Sequence, residues 1–363
     1  MAVPHFNRLT IRDIRRETAD AISIAFEVPP ALREAYRFRE GQFLTLRHTL
    51  AGEELRRSYS ICSGVPDYAQ HGELRIGIKR LQGGRFSSWA HETLKVGMSL
   101  DVMTPDGRFN TPLDPTRARH FVGFASGSGI TPMLSLIRTV LATEPGSRFS
   151  LVYGNRSVAS IMFLETLAGL KNLSMDRLRL VHVLSGEPQE IALFSGRLDR
   201  DRCRALLETV LCDDPIDEVF ICGPAPMMDG AEAALRAHGV PAEHIHTERF
   251  GTPAVAPVAP LRTTAVDSDA CARVTIVVDG MQRTLQVPFD GPALLDAGLA
   301  VGAPLPYACK GGVCCTCRAR VLEGEVRMDR NFTLEPQEIA QGFVLTCQAH
   351  PVSDRVVVSF DER

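Results

Sequence analysis

The chain has little excess of charge of either sign. Its 40 Lys and Arg stand against 43 Asp and Glu, a formal net charge of −3 over 363 residues. No broad basic field is available to hold nucleic acid, so no nucleic-acid partner is expected. Nor does any window approach the roughly 18 uninterrupted apolar residues of a membrane-spanning helix, so no membrane partner is expected. Met1–Thr10 (MAVPHFNRLT) has no apolar run behind a basic patch, which predicts no signal peptide and a cytoplasmic protein. No internal repeat is found. The mix of 45% hydrophobic and 23% charged residues excludes a disordered or fibrous chain.

What the chain does have is cysteine. Six of its 10 cysteines are scattered: Cys62, Cys203, Cys212, Cys222, Cys271 and Cys347. The other four, Cys309, Cys314, Cys315 and Cys317, crowd into nine residues. In a reducing compartment such a cluster reads as metal binding or redox chemistry, not as disulfides. Cys309, Cys314 and Cys317 are spaced C-x4-C-x2-C, and Cys347 follows after a further 29 residues. That is the plant-type [2Fe–2S] spacing. Gly311 and Gly312 let the backbone wrap closely, so that amide N–H groups face the cluster sulfurs. A four-cysteine zinc site is the alternative, but its usual halves are C-x2-C pairs and only one is present. Cys315 reads as a small buried neighbour.

The rhythm of the chain divides it in three. Residues 1–112 hold short alternating runs such as Gln42–Arg47 and Glu73–Lys79, separated by turn residues, which predicts an antiparallel β-barrel. A single helix is predicted in it, over Ser87–Leu94. Within 113–251, apolar runs at His120–Ala125, Phe149–Tyr153, Leu178–Leu184 and Glu218–Cys222 alternate with helical patterns, which predicts a parallel-sheet α/β domain. Residues 252–270 read as a Pro/Ala-rich linker. Residues 271–363 read as a compact α+β module that opens on a hairpin with Asp279-Gly280 in its turn.

Three segments carry further chemistry. Arg57-Ser58-Tyr59-Ser60 offers a cation for phosphate, a ring for stacking and hydroxyls for a ring edge. Gly83-Gly84-Arg85-Phe86-Ser87 opens the predicted barrel helix, where backbone N–H groups can receive phosphate. Gly127-Ser128-Gly129-Ile130-Thr131-Pro132 is G-x-G-x-x-P, a strand–turn–helix phosphate loop distinct from the G-x-G-x-x-G fingerprint. The second strand of that domain ends in Arg156-Ser157 without the acid that takes a ribose 2′-OH. This favours NADPH over NADH. His244, His246 and Glu248 share one strand face and pose a metal site as a competing reading.

Residues 271–363 resemble a plant-type ferredoxin of β-grasp fold, with Cys309, Cys314, Cys317 and Cys347 as ligands. The first two segments resemble ferredoxin–NADP reductases, and that resemblance implies an FAD site. Arg57 and Ser87 would bind its pyrophosphate, Tyr59 would stack on the isoalloxazine, and Ser60 would face its reactive edge. Ser58, Gly84 and Phe86, from the same segments, would also contact the cofactor, and Ile78 and Lys79 would line the ribityl and adenosine side. For the nicotinamide nucleotide it implies Gly127, Gly129, Thr131, Arg156 and Ser157, with Cys222, Gly223, Pro224 and Met227 of the CGPAPM run beside the ring. Gly186 stands where some NADP-specific relatives carry Arg. Glu248 and Phe250 would lie near the flavin, and Ser60, Cys222 and Glu248 make the implied catalytic set. The order of the three parts resembles reductase components of bacterial oxygenases. The loop CKGGVCCTC, with Met328–Asn331 and Phe343–Pro351, looks most like that of the reductase subunits of phenylacetyl-CoA epoxidases. The implied path runs from NADPH to FAD to [2Fe–2S] to a diiron oxygenase component. A Rieske-type ring-hydroxylating or steroid oxygenase is the alternative acceptor, and a redox sensor the reading from another class.

Overall fold

The computed structural model describes residues 5–212, 215–251 and 271–362. The predicted linker at 252–270 lies outside the described residues. Two compact units are formed, Phe6–Glu248 and a second that begins at Arg249.

The first unit opens with β1 (Phe6–Thr18), β2 (Ala21–Glu27), β3 (Phe43–Leu50), β4 (Glu53–Ser60), α1 (Val65–His71), β5 (Leu74–Lys79), α2 (Arg85–Thr93) and β6 (Ser99–Met103). The six strands pair antiparallel in the order β4-β3-β6-β1-β2-β5. A bridge between Ile61 and Ile76 brings the free edges of β4 and β5 together, as a barrel requires. Alternating residues such as Leu9, Ile11, Ile24, Leu44, Leu46 and Ile76 point inward and make the core. The expectation of one helix is corrected, because α1 is a second. It is only seven residues long, so periodicity does not reveal it. Its signals are Pro66 in the first turn and Asp67, whose carboxylate accepts the Gly64 N–H at 2.6 Å.

The same unit continues with β7 (His120–Ser126), α3 (Ile130–Thr143), β8 (Arg148–Asn155), α4 (Leu164–Leu173), β9 (Leu178–Leu184), α5 (Arg200–Thr209), β10 (Glu218–Cys222), α6 (Ala225–Ala237) and β11 (Ile245–Glu248). All five strands are parallel, in the order β11-β10-β7-β8-β9. The strands read as continuous apolar runs because helices cover both faces. Ala21, Cys62 and Phe109 of the barrel share one core with Ile130, Met133 and Ile137 of α3, so barrel and sheet are packed layers. Asp67 of α1 clamps Arg138 of α3 through both carboxylate oxygens, at 2.6 and 2.7 Å.

The second unit holds β12 (Cys271–Val278), β13 (Met281–Pro288), α7 (Leu294–Ala300), β14 (Arg318–Glu323), β15 (Val326–Met328), α8 (Pro336–Ala340), β16 (Phe343–Leu345), β17 (Ala349–Pro351) and β18 (Arg355–Ser359). Its mixed sheet runs β13-β12-β18-β14-β16, and β15 pairs with β17 beside it. Asp279 and Gly280 both have positive φ, 51° and 71°, as a two-residue I′ hairpin turn demands. Both of their N–H groups donate to the Asp361 carboxylate, at 2.7 and 2.9 Å.

Candidate functional site

Three strands end at one place in the first unit. Ser60 closes β4, Cys222 closes β10 and Glu248 closes β11. Cys222 and Glu248 are partners in the parallel register, and Ser60 Oγ donates to Glu248 Oε2 at 3.0 Å. Ser60 and Cys222 are buried. Glu248 keeps some solvent contact but is densely surrounded by protein. Burial pushes its carboxyl up to about 8, against the opposing hydrogen bond from Ser60. Burial, and then the neighbouring Glu248, push the Cys222 thiol well above the usual range. A hydroxyl, a thiol and a carboxyl that holds its proton at neutral pH therefore sit together at the carboxyl ends of parallel strands, where open α/β sheets take their ligands.

Along β4, the Tyr59 ring lies against Phe86, with centroids 5.9 Å apart, and burial raises its phenol. Phe86 is 1% exposed, so it backs Tyr59 from the barrel core and does not line an open surface. Beyond it, Trp89 meets Phe86 edge-on and stacks on His48 at 3.9 Å. Arg57 is exposed, and Ser58 Oγ is 3.1 Å from Thr45 Oγ1. The Ser87 hydroxyl is spent within its own turn, accepting from the Leu81 N–H at 3.1 Å and donating to the Gly84 carbonyl at 3.3 Å. A Cβ at Gly84 would come within 2.5 Å of that hydroxyl, so the close turn at the start of α2 depends on the glycine. Ile78 is fully buried, and Lys79 pairs with Asp20 at 3.5 Å while reaching toward Gly127.

The glycine loop after β7 is pressed onto the end of β10. A Cβ at Gly129 would lie 2.0 Å from the Cys222 carbonyl oxygen, and one at Gly223 would lie 2.3 Å from Met227 Cε. Tyr153 donates to the Gly127 carbonyl at 2.9 Å, and Thr131 to the Ser128 carbonyl at 3.0 Å. Pro224 precedes α6 as its cap. Arg156 and Ser157 follow β8 immediately, Arg156 exposed and Ser157 capping the next turn. Phe250 belongs to the second unit and is exposed. The competing metal site does not form. His246 Nε2 donates to Glu218 Oε2 at 2.8 Å and His244 Nδ1 to the Asp217 carbonyl at 2.6 Å, while Glu248 accepts from Ser60.

In the second unit the cluster loop brings its four cysteines together as two pairs. The Cys314 thiol donates to the Cys309 sulfur and Cys317 to Cys347, so one sulfur of each pair is pushed down and the other up. The Gly311 N–H points at Cys309 Sγ, 3.3 Å away. Lys310, Gly312 and Cys315 all take positive φ, which coils the loop around the sulfurs. Gln348 Nε2 donates to the Lys310 carbonyl at 3.0 Å and lies 3.6 Å from Cys347 Sγ. Cys315 turns away from the pairs and donates to Thr333 Oγ1 at 2.9 Å. Among the described residues no three ligating side chains converge on a point, as one tetrahedral zinc requires. Two thiol pairs with inward N–H groups fit a two-iron cluster.

Residues 8–111 match the oxidoreductase FAD-binding domain family, 124–233 the oxidoreductase NAD-binding domain family, and 276–352 the 2Fe-2S iron-sulfur cluster binding domain family. The whole chain is similar to one of the subunits of the 1,2-phenylacetyl-CoA epoxidase of Escherichia coli (strain K12). The identity is 47% over 359 residues, covering 99% of this chain and 98% of that one. The chain belongs to the reductase components of multicomponent monooxygenases. A further relative of this reductase is the ferredoxin reductase component of 3-ketosteroid-9-alpha-monooxygenase from Rhodococcus rhodochrous, 35% identical with 99% of each chain covered. The reductase shares its fold with phthalate dioxygenase reductase, at a TM-score of 0.56 and 24% identity with 98% of each chain covered.

As an oxidoreductase of this family the reductase has an FAD-binding, an NAD-binding and a [2Fe–2S] domain on one chain. No helix among the described residues is long and apolar enough to cross a membrane. Two residues beside these sites escaped the sequence reading. Gln348 directly follows Cys347, and its amide is the only signal. Glu187 follows the Leu184-Ser185-Gly186 run and accepts the Val158 N–H at 3.1 Å. Only the pairing of two loops reveals it.

Proposed function

We propose that this reductase takes hydride from NADPH and passes electrons through FAD and its [2Fe–2S] cluster to the diiron oxygenase of a phenylacetyl-CoA epoxidase. The meeting of Ser60, Cys222 and Glu248 at one seam, on a chain that also carries four paired thiols, is the observation that carries this reading. A bound FAD supplies the conversion between a two-electron hydride and the single electrons that an iron–sulfur cluster accepts. The protein supplies position and a largely buried, polar seam. Tyr59, braced by Phe86, offers the flavin a ring face. Gly129 and Gly223 let backbone approach closely where the nicotinamide would be seated. Ser60 offers a hydroxyl at the reactive edge, and Glu248 keeps a proton within that hydroxyl's reach. Cys309, Cys314, Cys317 and Cys347 would hold the cluster, and the Gly311 N–H would offset its charge.

The exposed Arg156, with Ser157 beside it, supports NADPH over NADH, because a guanidinium matches a 2′-phosphate. The 47% identity to the epoxidase component, against 35% for the steroid reductase component, supports the acceptor. The latter relative keeps a Rieske-type or steroid oxygenase as the second reading. The test is anaerobic reduction of the loaded chain by NADPH and NADH, followed by visible absorption and low-temperature EPR. Turnover of phenylacetyl-CoA with the purified oxygenase then tests the acceptor. NADPH is expected to reduce flavin and cluster faster than NADH, and epoxide to form only with both components present. Failure of NADPH to reduce the cluster would end the conducting reading, and electron delivery only to a steroid oxygenase would favour the second.

A further inference from the structure

The loops after β8 and β9 lie zipped together. The Ser185 N–H donates to the Asn155 carbonyl at 2.9 Å and the Gly186 N–H to the Arg156 carbonyl at 2.7 Å. In the other direction the Val158 N–H donates to Glu187 Oε2 at 3.1 Å. A Cβ at Gly186 would lie 2.8 Å from the Arg156 carbonyl oxygen and 2.9 Å from its Cγ. The zipper thus keeps position 186 side-chain-free, and an arginine there would have to break it. The Arg156 guanidinium is exposed, and no hydrogen bond or ion pair is found for it among the described residues. Glu187 is half-buried on the same rim. In sheets of this kind the adenosine ribose meets the end of the second strand, where an acid takes a 2′-OH and an arginine a 2′-phosphate. Both residue types are present at the end of β8. The acid simply comes from the neighbouring loop.

We propose that Glu187 is the counterweight to Arg156 that sets how strongly the reductase discriminates NADPH from NADH. Its carboxylate repels a 2′-phosphate, and it occupies the Val158 N–H that a phosphate oxygen would otherwise use. This rests on the reading that NADPH places its 2′-phosphate at Arg156 and Ser157. The Glu187→Gln variant removes the charge yet keeps an oxygen for the Val158 N–H.

The test is calorimetric binding of adenosine 2′,5′-bisphosphate and of 5′-AMP to the FAD-loaded full chain, in wild type, E187Q and R156A. E187Q is expected to tighten the bisphosphate by about three- to tenfold, the range of one partly exposed charge contact, and to leave 5′-AMP unchanged. The gain should shrink in high salt. R156A is expected to weaken the bisphosphate alone. If R156A weakens it but E187Q binds it as wild type does, the role of Glu187 is overturned and the NADPH reading stands. If R156A has no effect, the 2′-phosphate is not at this rim and both fall.

Discussion

Ser60 Oγ donates to Glu248 Oε2 at 3.0 Å, joining the end of a barrel strand to the end of a parallel-sheet strand 188 positions away. The bond crosses from one layer of the first unit to the other. It places a hydroxyl and a carboxyl pushed up to about 8 in direct contact.

Glu248 should make the reductase less stable as pH rises. Its carboxyl is raised above the ordinary 4.5, so between about pH 4.5 and 8 the native chain holds a proton that the unfolded chain has released. The stabilisation is complete below that window and is lost as pH climbs through it, by up to about 1.4 kcal/mol per pH unit. Urea unfolding of wild type and E248Q at several pH values checks this. The wild-type slope should be absent in E248Q, and an unchanged slope would exclude Glu248 as its source.

The Asp67–Arg138 clamp should hold barrel and sheet together. R138A leaves the Asp67 carboxylate half-buried without its guanidinium, at a cost of about 1–3 kcal/mol. Burial alone would raise the Asp67 carboxyl, but the Arg138 contact outweighs it, so its value falls below the ordinary 3.8. The clamp therefore stabilises above that value and is lost as pH falls through the lowered one. A double-mutant cycle with D67A should return a coupling that fades in acid.

The seat of Gly129 on β10 predicts that the smallest side chain disrupts the proposed nucleotide site. A Cβ there collides with backbone and not with a yielding side chain, so G129A must displace either the loop or Cys222. Nucleotide affinity should fall at least about tenfold. Calorimetry with NADP+, alongside flavin binding as the control, would show the loss confined to one ligand.

Gln348 should tune the cluster without holding it. Q348A removes an N–H beside Cys347 Sγ and the brace to the Lys310 carbonyl, so the more negative, reduced cluster loses support. An EPR-monitored redox titration should show a potential lower by tens of millivolts, roughly, with the iron content unchanged. Iron loss instead would make Gln348 a structural pin of the loop.

Much of this architecture was legible because local patterns carry it. The cysteine spacing lies mostly within nine residues, and the apolar runs at Leu178–Leu184 and Glu218–Cys222 coincide with β9 and β10. The turn at Asp279-Gly280 was equally plain. What was hidden depends on chain segments meeting in space. The family resemblance groups Ser60 with Glu248, but no local pattern shows the bond between them, and none sets Glu187 beside Val158. The reading of Phe86 as a cofactor contact shows the converse, because a motif residue can serve the core behind the one that faces the ligand. Helix α1 was missed because seven residues give too little periodicity to outweigh its turn-like Gly-Val-Pro-Asp start.

In the second unit β18, which follows the four cysteines in the chain, occupies the middle of the sheet, between β12 and β14. Until it emerges from the ribosome, β12 and β13 form an isolated hairpin and the cluster loop has no platform beneath it. Asp361, which secures that hairpin's turn, comes later still. The flavin and nucleotide layers can thus be complete while Cys309, Cys314, Cys317 and Cys347 sit on an unfinished sheet. Cluster insertion therefore waits for β18, and ribosome-bound chains ending before Arg355 should bind flavin but retain no iron.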